Sequence, residues 1–150
     1  MSTAEHDAGR GVWSERGDGA GDVTEVRVAA DADRVAVLRG VIAGLAMRAD
    51  FDLDTVDDLR LAVDEACSSL VRLATPGTRL VARFQVAPSV LTVAVTVAAP
   101  EGATLRRDTF GWQVLTTLAT EVTAAARPSD DRTGQLLEIE FVKVRREAMP

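Results

Sequence analysis

Residues 57–69 read Asp57-Asp58-Leu59-Arg60-Leu61-Ala62-Val63-Asp64-Glu65-Ala66-Cys67-Ser68-Ser69. Through and around this stretch Val56, Leu59, Val63, Ala66, Cys67, Leu70, Val71 and Ala74 recur at spacings of three and four, the period of one helical face. Asp54 is the expected cap, with Asp57 three residues on, because carboxylates in the first turn favour the positive end of the helix dipole. Thr75-Pro76-Gly77 ends the helix. At about 100° per residue, Glu65, Ser69 and Arg72 project away from the apolar arc. Glu65 and Ser69 stand one turn apart, so an acid and a hydroxyl reach the same small volume. Two readings fit that pair. In a cleft, Glu65 is a candidate general base or holds a metal-bound water; on an open surface, the pair is the solvated face of the helix.

Working outward from this helix, Val26, Val28 and Ala30 alternate with Glu25 and Arg27 as a first strand. A helix capped by Asp31 or Asp33 follows, carrying Val35, Leu38, Val41, Ile42 and Leu45 on one face. Its Gly40 and Gly44 either weaken it or admit a second backbone at close range. Downstream, Leu80, Ala82, Phe84 and Val86 mark one strand, and Val93, Val95 and Val97 mark the next. A third helix, capped by Thr109, is expected to carry Val114, Leu115, Leu118, Val122 and Ala125. Residues 127–134 read as a polar loop, and Leu137, Ile139 and Phe141 as a closing strand. The order β-α-α-β-β-α-β predicts one sheet with helices on one face. The domain is expected over residues 23–146. Residues 1–22, with Gly9, Gly11, Gly17, Gly19 and Gly21 among scattered charges, read as a disordered tail that buries too little apolar surface to offset its ordering entropy.

Composition narrows the function. The chain has 150 residues, 47% of them hydrophobic, which suits one globular domain. Its net charge of −6 argues against a nucleic-acid surface, which needs clustered positive charge to displace phosphate counterions. The single cysteine, Cys67, allows no internal disulfide and fits a reducing, cytoplasmic setting; on the apolar helix face it reads as a packed thiol. The single histidine, His6, lies in the tail, which argues against His/Cys zinc sites and Ser-His-Asp triads. No apolar run approaches the roughly 20 residues that span a bilayer, and no signal-peptide core opens the chain. The acidity is local. Residues 1–22 carry −3 and residues 50–65 carry −6, so the remainder is mildly basic at +3. The cluster of Asp50, Asp52, Asp54, Asp57 and Asp58 therefore marks a candidate docking edge for a protein partner, with Asp52 and Asp57 its test residues.

The 57–69 stretch resembles the N-box helix of RsbW-type anti-sigma factors, small serine-protein kinases of the GHKL (Bergerat-fold) ATPase superfamily. The likeness extends to Leu38-Arg39, to Asp50-Phe51-Asp52-Leu53, to Phe110-Gly111-Trp112-Gln113-Val114-Leu115 and to the strand after Thr133-Gly134, roughly residues 23–145 in all. It looks closest to actinobacterial anti-sigma proteins of the stress or sporulation type. It implies an α+β two-layer sandwich, a mixed, mostly antiparallel sheet with three helices on one face. It places the proposed catalytic base at Glu65 and the Mg²⁺-binding asparagine at Ser69, whose shorter hydroxyl coordinates Mg²⁺ less readily than an amide carbonyl.

The other nucleotide motifs depart further from the family. The Asp-x-Gly-x-Gly position reads Ala98-Ala99-Pro100-Glu101-Gly102-Ala103, which keeps Gly102, lacks the adenine-recognising aspartate and loses a backbone donor at Pro100. The phosphate-cradling turn is reduced to Phe110-Gly111-Trp112, and the closing Gly-Thr reads Gly134-Gln135. Either ATP and Mg²⁺ bind weakly through Ser69, Gly102, Gly111 and Gly134, or the pocket is vestigial and the domain is a protein-binding module; the missing elements favour the second. The resemblance further implies an alternative sigma factor as partner, gripped by the first helix with Arg39 as the best-matched contact. It also implies release by an anti-anti-sigma protein, and a homodimer formed through the sheet or the first helix. The alternative is an active kinase that phosphorylates its own anti-anti-sigma antagonist.

Overall fold

The computed structural model describes residues 22–131 and 133–145. The expectations for the tail, including His6, therefore lie outside the described residues. The chain runs β1 (Val23–Ala29), a 3-10 turn (Ala32–Arg34), α1 (Val35–Arg48), α2 (Leu53–Val71), β2 (Arg79–Val86), β3 (Val90–Ala99), α3 (Phe110–Leu118), β4 (Glu121–Pro128) and β5 (Gln135–Val144). The strands form one sheet in the order β1-β2-β3-β5-β4. All four pairings are antiparallel, so the mixed character expected of the sheet is absent. The three helices pack on one face, giving the α+β two-layer architecture. Among the described residues no helix is long and apolar enough to cross a membrane.

Alternation along the strands builds the core. Phe84, Val93 and Phe141 lie in one cross-strand row, with Val95 and Ile139 in the next, and all are fully buried. Above them sit Leu38 and Ile42 of α1, Leu59, Val63, Ala66, Cys67 and Leu70 of α2, and Leu115 of α3. The apolar stripe predicted for α2 is thus its packed face, while Val41 and Leu45 of α1 are only partly buried.

The third helix is shorter than its pattern implied. It stops at Leu118, and Val122 and Ala125 belong to β4. Val122, Ala124 and Ala126 pair with Phe141, Ile139 and Leu137. Alanine favours helix locally, but the unsatisfied edge of β5 and the apolar floor beneath it make the extended form win. Pro128 is tolerated because β4 is an edge strand. The polar loop accordingly shrinks to the β4–β5 turn. There Asp131 accepts from the Ser129 hydroxyl and from both the N–H and hydroxyl of Thr133, which hold its carboxyl down at about 2.

One helix cap also differs. The cap of α2 is Asp52; Asp54 lies in the first turn, where its charge still favours the dipole. Helix α1 ends without glycine. Asp50 takes a left-handed φ of 63°, the Phe51 N–H donates to the Ala46 carbonyl and the Asp50 N–H to the Met47 carbonyl, the paired bonds of a Schellman cap. Gly40 and Gly44 face open space, with nothing within 4 Å of an added Cβ, so no second backbone approaches them. Replacing either with alanine is expected to stabilise the fold by about 0.5–1 kcal/mol, read as a raised urea midpoint at unchanged slope.

Candidate functional site

Helix α3 runs back along α2, and their contact line holds the candidate site. At its near end Lys143 donates to the Leu118 carbonyl at 2.6 Å and pairs with Asp58 at 3.4 Å, tying the end of α3 to α2. Further along, the Glu65 carboxylate lies against Gly111. A Cβ added at Gly111 would stand 2.6 Å from Glu65 Oε1, so the carboxylate fills the space a side chain would take. At the far end Ser69, Arg72 and Leu73 face Thr104, Leu105, Arg106 and Thr109 across a cleft of about 220 Å³. Small-molecule pockets usually measure about 300–1,000 Å³.

The connector between β3 and α3 is fastened over this cleft. Gln135 donates its side-chain amide to the carbonyls of Pro100 (3.0 Å) and Ala103 (2.6 Å). Arg107 lies over the Trp112 ring at 5.7 Å from its centroid and donates to the Ala124 carbonyl. Arg106 chelates Asp108 at 3.0 and 2.9 Å, which holds that exposed carboxyl below its ordinary range. The Thr109 hydroxyl caps α3 by accepting from the Trp112 N–H at 3.1 Å. Trp112, bulky for its place in the motif, is half-buried against the core.

The predicted residues separate into distinct places. Glu65 and Gly111 meet directly, and Ser69 lines the cleft. Gly102 and Gly134 lie elsewhere, at the end of β3. Gly102 (φ +99°) takes the position of a type II turn that requires positive φ, closed by the Ala103 N–H donating to the Pro100 carbonyl. Gly134 passes so close to the Ala99 carbonyl that an added Cβ would stand 2.7 Å from its oxygen. Both glycines therefore have backbone roles. Among the described residues no group of three or more His, Cys, Asp or Glu side chains is placed to hold a metal ion.

Arg39 is half-buried, and its guanidinium donates to Asp64 at 2.6 Å, bracing α1 against α2. Asp52, Asp54 and Asp57 are exposed at the start of α2. Cys67 is fully buried, and burial first, then the nearby Asp64 charge, pushes its thiol up to about 12. The unfolded thiol ionises near 9, so its contribution to stability is complete below pH 9 and is lost as pH rises from there towards 12. At pH 8 iodoacetamide is expected to leave the native protein unmodified and to alkylate Cys67 only in denaturant.

Arg107 and Lys143 escaped the sequence reading, and Gln135 was read only as a departure from the closing motif. The signal for Gln135 was its place beside Gly134, where the motif calls for threonine; nothing local marked the other two.

Comparison with known proteins bears on this arrangement. The family model for the histidine kinase-like ATPase domain matches residues 28–133. The chain belongs to this family. It is 38% identical over 100 residues to the anti-sigma-F factor RsbW of Mycobacterium tuberculosis (strain ATCC 25618 / H37Rv), covering 65% of this chain and 58% of that protein. It is also 38% identical over 50 residues to the serine-protein kinase RsbW of Bacillus cereus (strain AH187), covering 33% of this chain and 31% of the relative. The matches thus span less than two thirds of either relative's length. The resemblance to RsbW-type proteins carried by the α2 stretch is borne out.

Proposed function

We propose that this histidine kinase-like ATPase domain is a cytoplasmic anti-sigma factor. It binds and sequesters an alternative sigma factor, and an anti-anti-sigma protein releases it. The similarity to a protein named as an anti-sigma-F factor carries the reading. The nucleotide site is eroded, and the position of Glu65 supports this: its carboxylate is seated on Gly111 beside a cleft of about 220 Å³. The only Mg²⁺ ligand at the asparagine position is the Ser69 hydroxyl, and the connector is held by Gln135, Arg107 and Thr109. These residues do not fit a nucleotide held through Mg²⁺.

Sigma binding then falls to exposed surface, and the acidic start of α2 with Asp52 and Asp57 is the edge assigned to it. Arg39 contributes by fixing α1 against α2 through Asp64. Co-purification with a sigma factor, and inhibition of transcription from that factor's promoters, tests the function. A chain that captures no sigma factor from its own cell overturns it. Reversing Asp52 and Asp57 to lysine is expected to weaken capture; unchanged affinity at low salt would move the docking edge elsewhere.

We further propose a homodimer, supported by the helix-free face of the sheet. There β1 and β2 present Glu25 and Arg83, while β5 and β4 present Glu138, Glu121 and Arg127. A second copy turned about an axis parallel to β3 brings Arg83 of each over the carboxylates of the other. Sedimentation equilibrium showing a monomer at every concentration would refute it.

The second reading, a kinase acting on its anti-anti-sigma partner, is favoured by the retained Glu65 and by the relative named as a serine-protein kinase. Incubation with labelled ATP, Mg²⁺ and that partner separates the two readings. Phosphoserine that disappears in Glu65→Ala establishes the kinase.

A further inference from the structure

A second cleft, about 470 Å³, opens at the end of the β1–β2 pair, away from Glu65 and Ser69. Its lining includes Arg27, Arg34 and Arg79 against one carboxylate, Asp31, a local excess of positive charge in a chain whose net charge is −6. The three guanidinium groups come from separate elements. Ala29 pairs with Arg79 and Arg27 with Val81, so Arg27 and Arg79 are diagonal neighbours on one sheet face, about 7–8 Å apart at Cα. Arg34 arrives from the 3-10 turn that follows β1. Among the described residues neither Arg34 nor Arg79 has a carboxylate partner. Arg27 is oriented by its Nε bond to Glu25 at 2.8 Å, which leaves its terminal nitrogens available. Val28 and Val37 supply an apolar wall.

We propose that this cleft binds a small anion carrying two or more phosphate groups, with Arg34 and Arg79 as its principal contacts and Arg27 closing one side. The volume falls within the roughly 300–1,000 Å³ of small-molecule sites. Planar guanidinium forks match phosphate oxygens two at a time, and a linked pair of phosphates offers enough oxygens for three arginines. Free diphosphate and the diphosphate part of a nucleotide share this chemistry. The site is independent of the eroded nucleotide cleft and uses none of its residues.

Calorimetric titration of the full chain with sodium pyrophosphate, without Mg²⁺ and at low salt, tests the proposal. Saturable binding with a Kd below about 1 mM is expected, weakening as salt is raised. The double substitution Arg34→Gln, Arg79→Gln is expected to weaken binding at least tenfold (about 1.4 kcal/mol). Both side chains are exposed, and Arg34 makes no side-chain cap bond to α1, so the fold persists, as circular dichroism will verify. Ser69→Ala is expected to bind like the parent. Tighter binding of a nucleoside triphosphate with the same arginine dependence identifies a nucleotide as the ligand, whereas equal affinity identifies free diphosphate. Binding that fails to saturate, survives the double substitution or is lost in Ser69→Ala overturns the proposal. So does tighter binding of citrate than of pyrophosphate.

Discussion

Phe141→Ala is expected to lower stability by about 3–5 kcal/mol, a large part of the roughly 5–15 kcal/mol that holds a domain of this size together. Phe141 is fully buried in β5, facing Val93 on one side and Val122 on the other, and Val93 in turn separates it from Phe84. Removing the ring leaves a cavity bounded by three strands that are bonded to one another and cannot close in. The thermal midpoint is expected to fall by on the order of 10–20 °C. Val122→Ala, at the edge strand and only partly buried, is expected to cost no more than about 1.5 kcal/mol. Urea unfolding of both variants checks the ranking. A loss below about 1 kcal/mol for Phe141→Ala would place β5 outside the core.

That contrast shows why β5 was legible and β4 was not. Leu137, Ile139 and Phe141 alternate with charged residues, and large apolar side chains at period two have one physical explanation. Glu121–Pro128 is rich in alanine, which is small enough for either face and helix-favouring in isolation. Its extended form depends on an available edge of β5, a long-range fact. Asp50 is similar: the Schellman cap normally announces itself by glycine, and here an aspartate takes the left-handed position. At the site, helical spacing put Glu65 and Ser69 one turn apart on α2, where Glu65 lies against Gly111 and Ser69 lines the cleft. Gly102 and Gly134 were grouped with them by motif alone. Gly102 closes a local turn on Pro100, and Gly134 lies against Ala99 at the end of the β3–β5 ladder; helical spacing carries no information about either.

Arg145→Ala is expected to cost about 2–3 kcal/mol, large for a side chain at the end of the described chain. Its Nε donates to the Pro88 carbonyl at 2.8 Å, and its two terminal nitrogens donate to the Asp50 carbonyl at 2.8 Å and the Ala49 carbonyl at 2.6 Å. The guanidinium also lies over the Phe51 ring, 4.1 Å from its centroid. One side chain thereby joins the β2–β3 turn to the α1–α2 connection. Hydrogen bonds from a charged donor contribute about 1.5–3 kcal/mol each when dry, but two of these are exposed and the three are not additive, which sets the lower total. Arg145→Lys is expected to recover less than half, because an ammonium cannot span three carbonyls or stack on the ring as a planar fork does. The loss has a particular location. Asp50 and Phe51 form the cap that aims the chain into α2, so faster amide exchange is expected at Ala49–Phe51 before the sheet is affected. The same segment leads into Asp52, part of the acidic edge proposed to dock the sigma factor. If the clamp fixes that edge, Arg145→Ala weakens sigma capture while the core remains folded. Unchanged capture alongside a lowered melting temperature would limit Arg145 to stability alone.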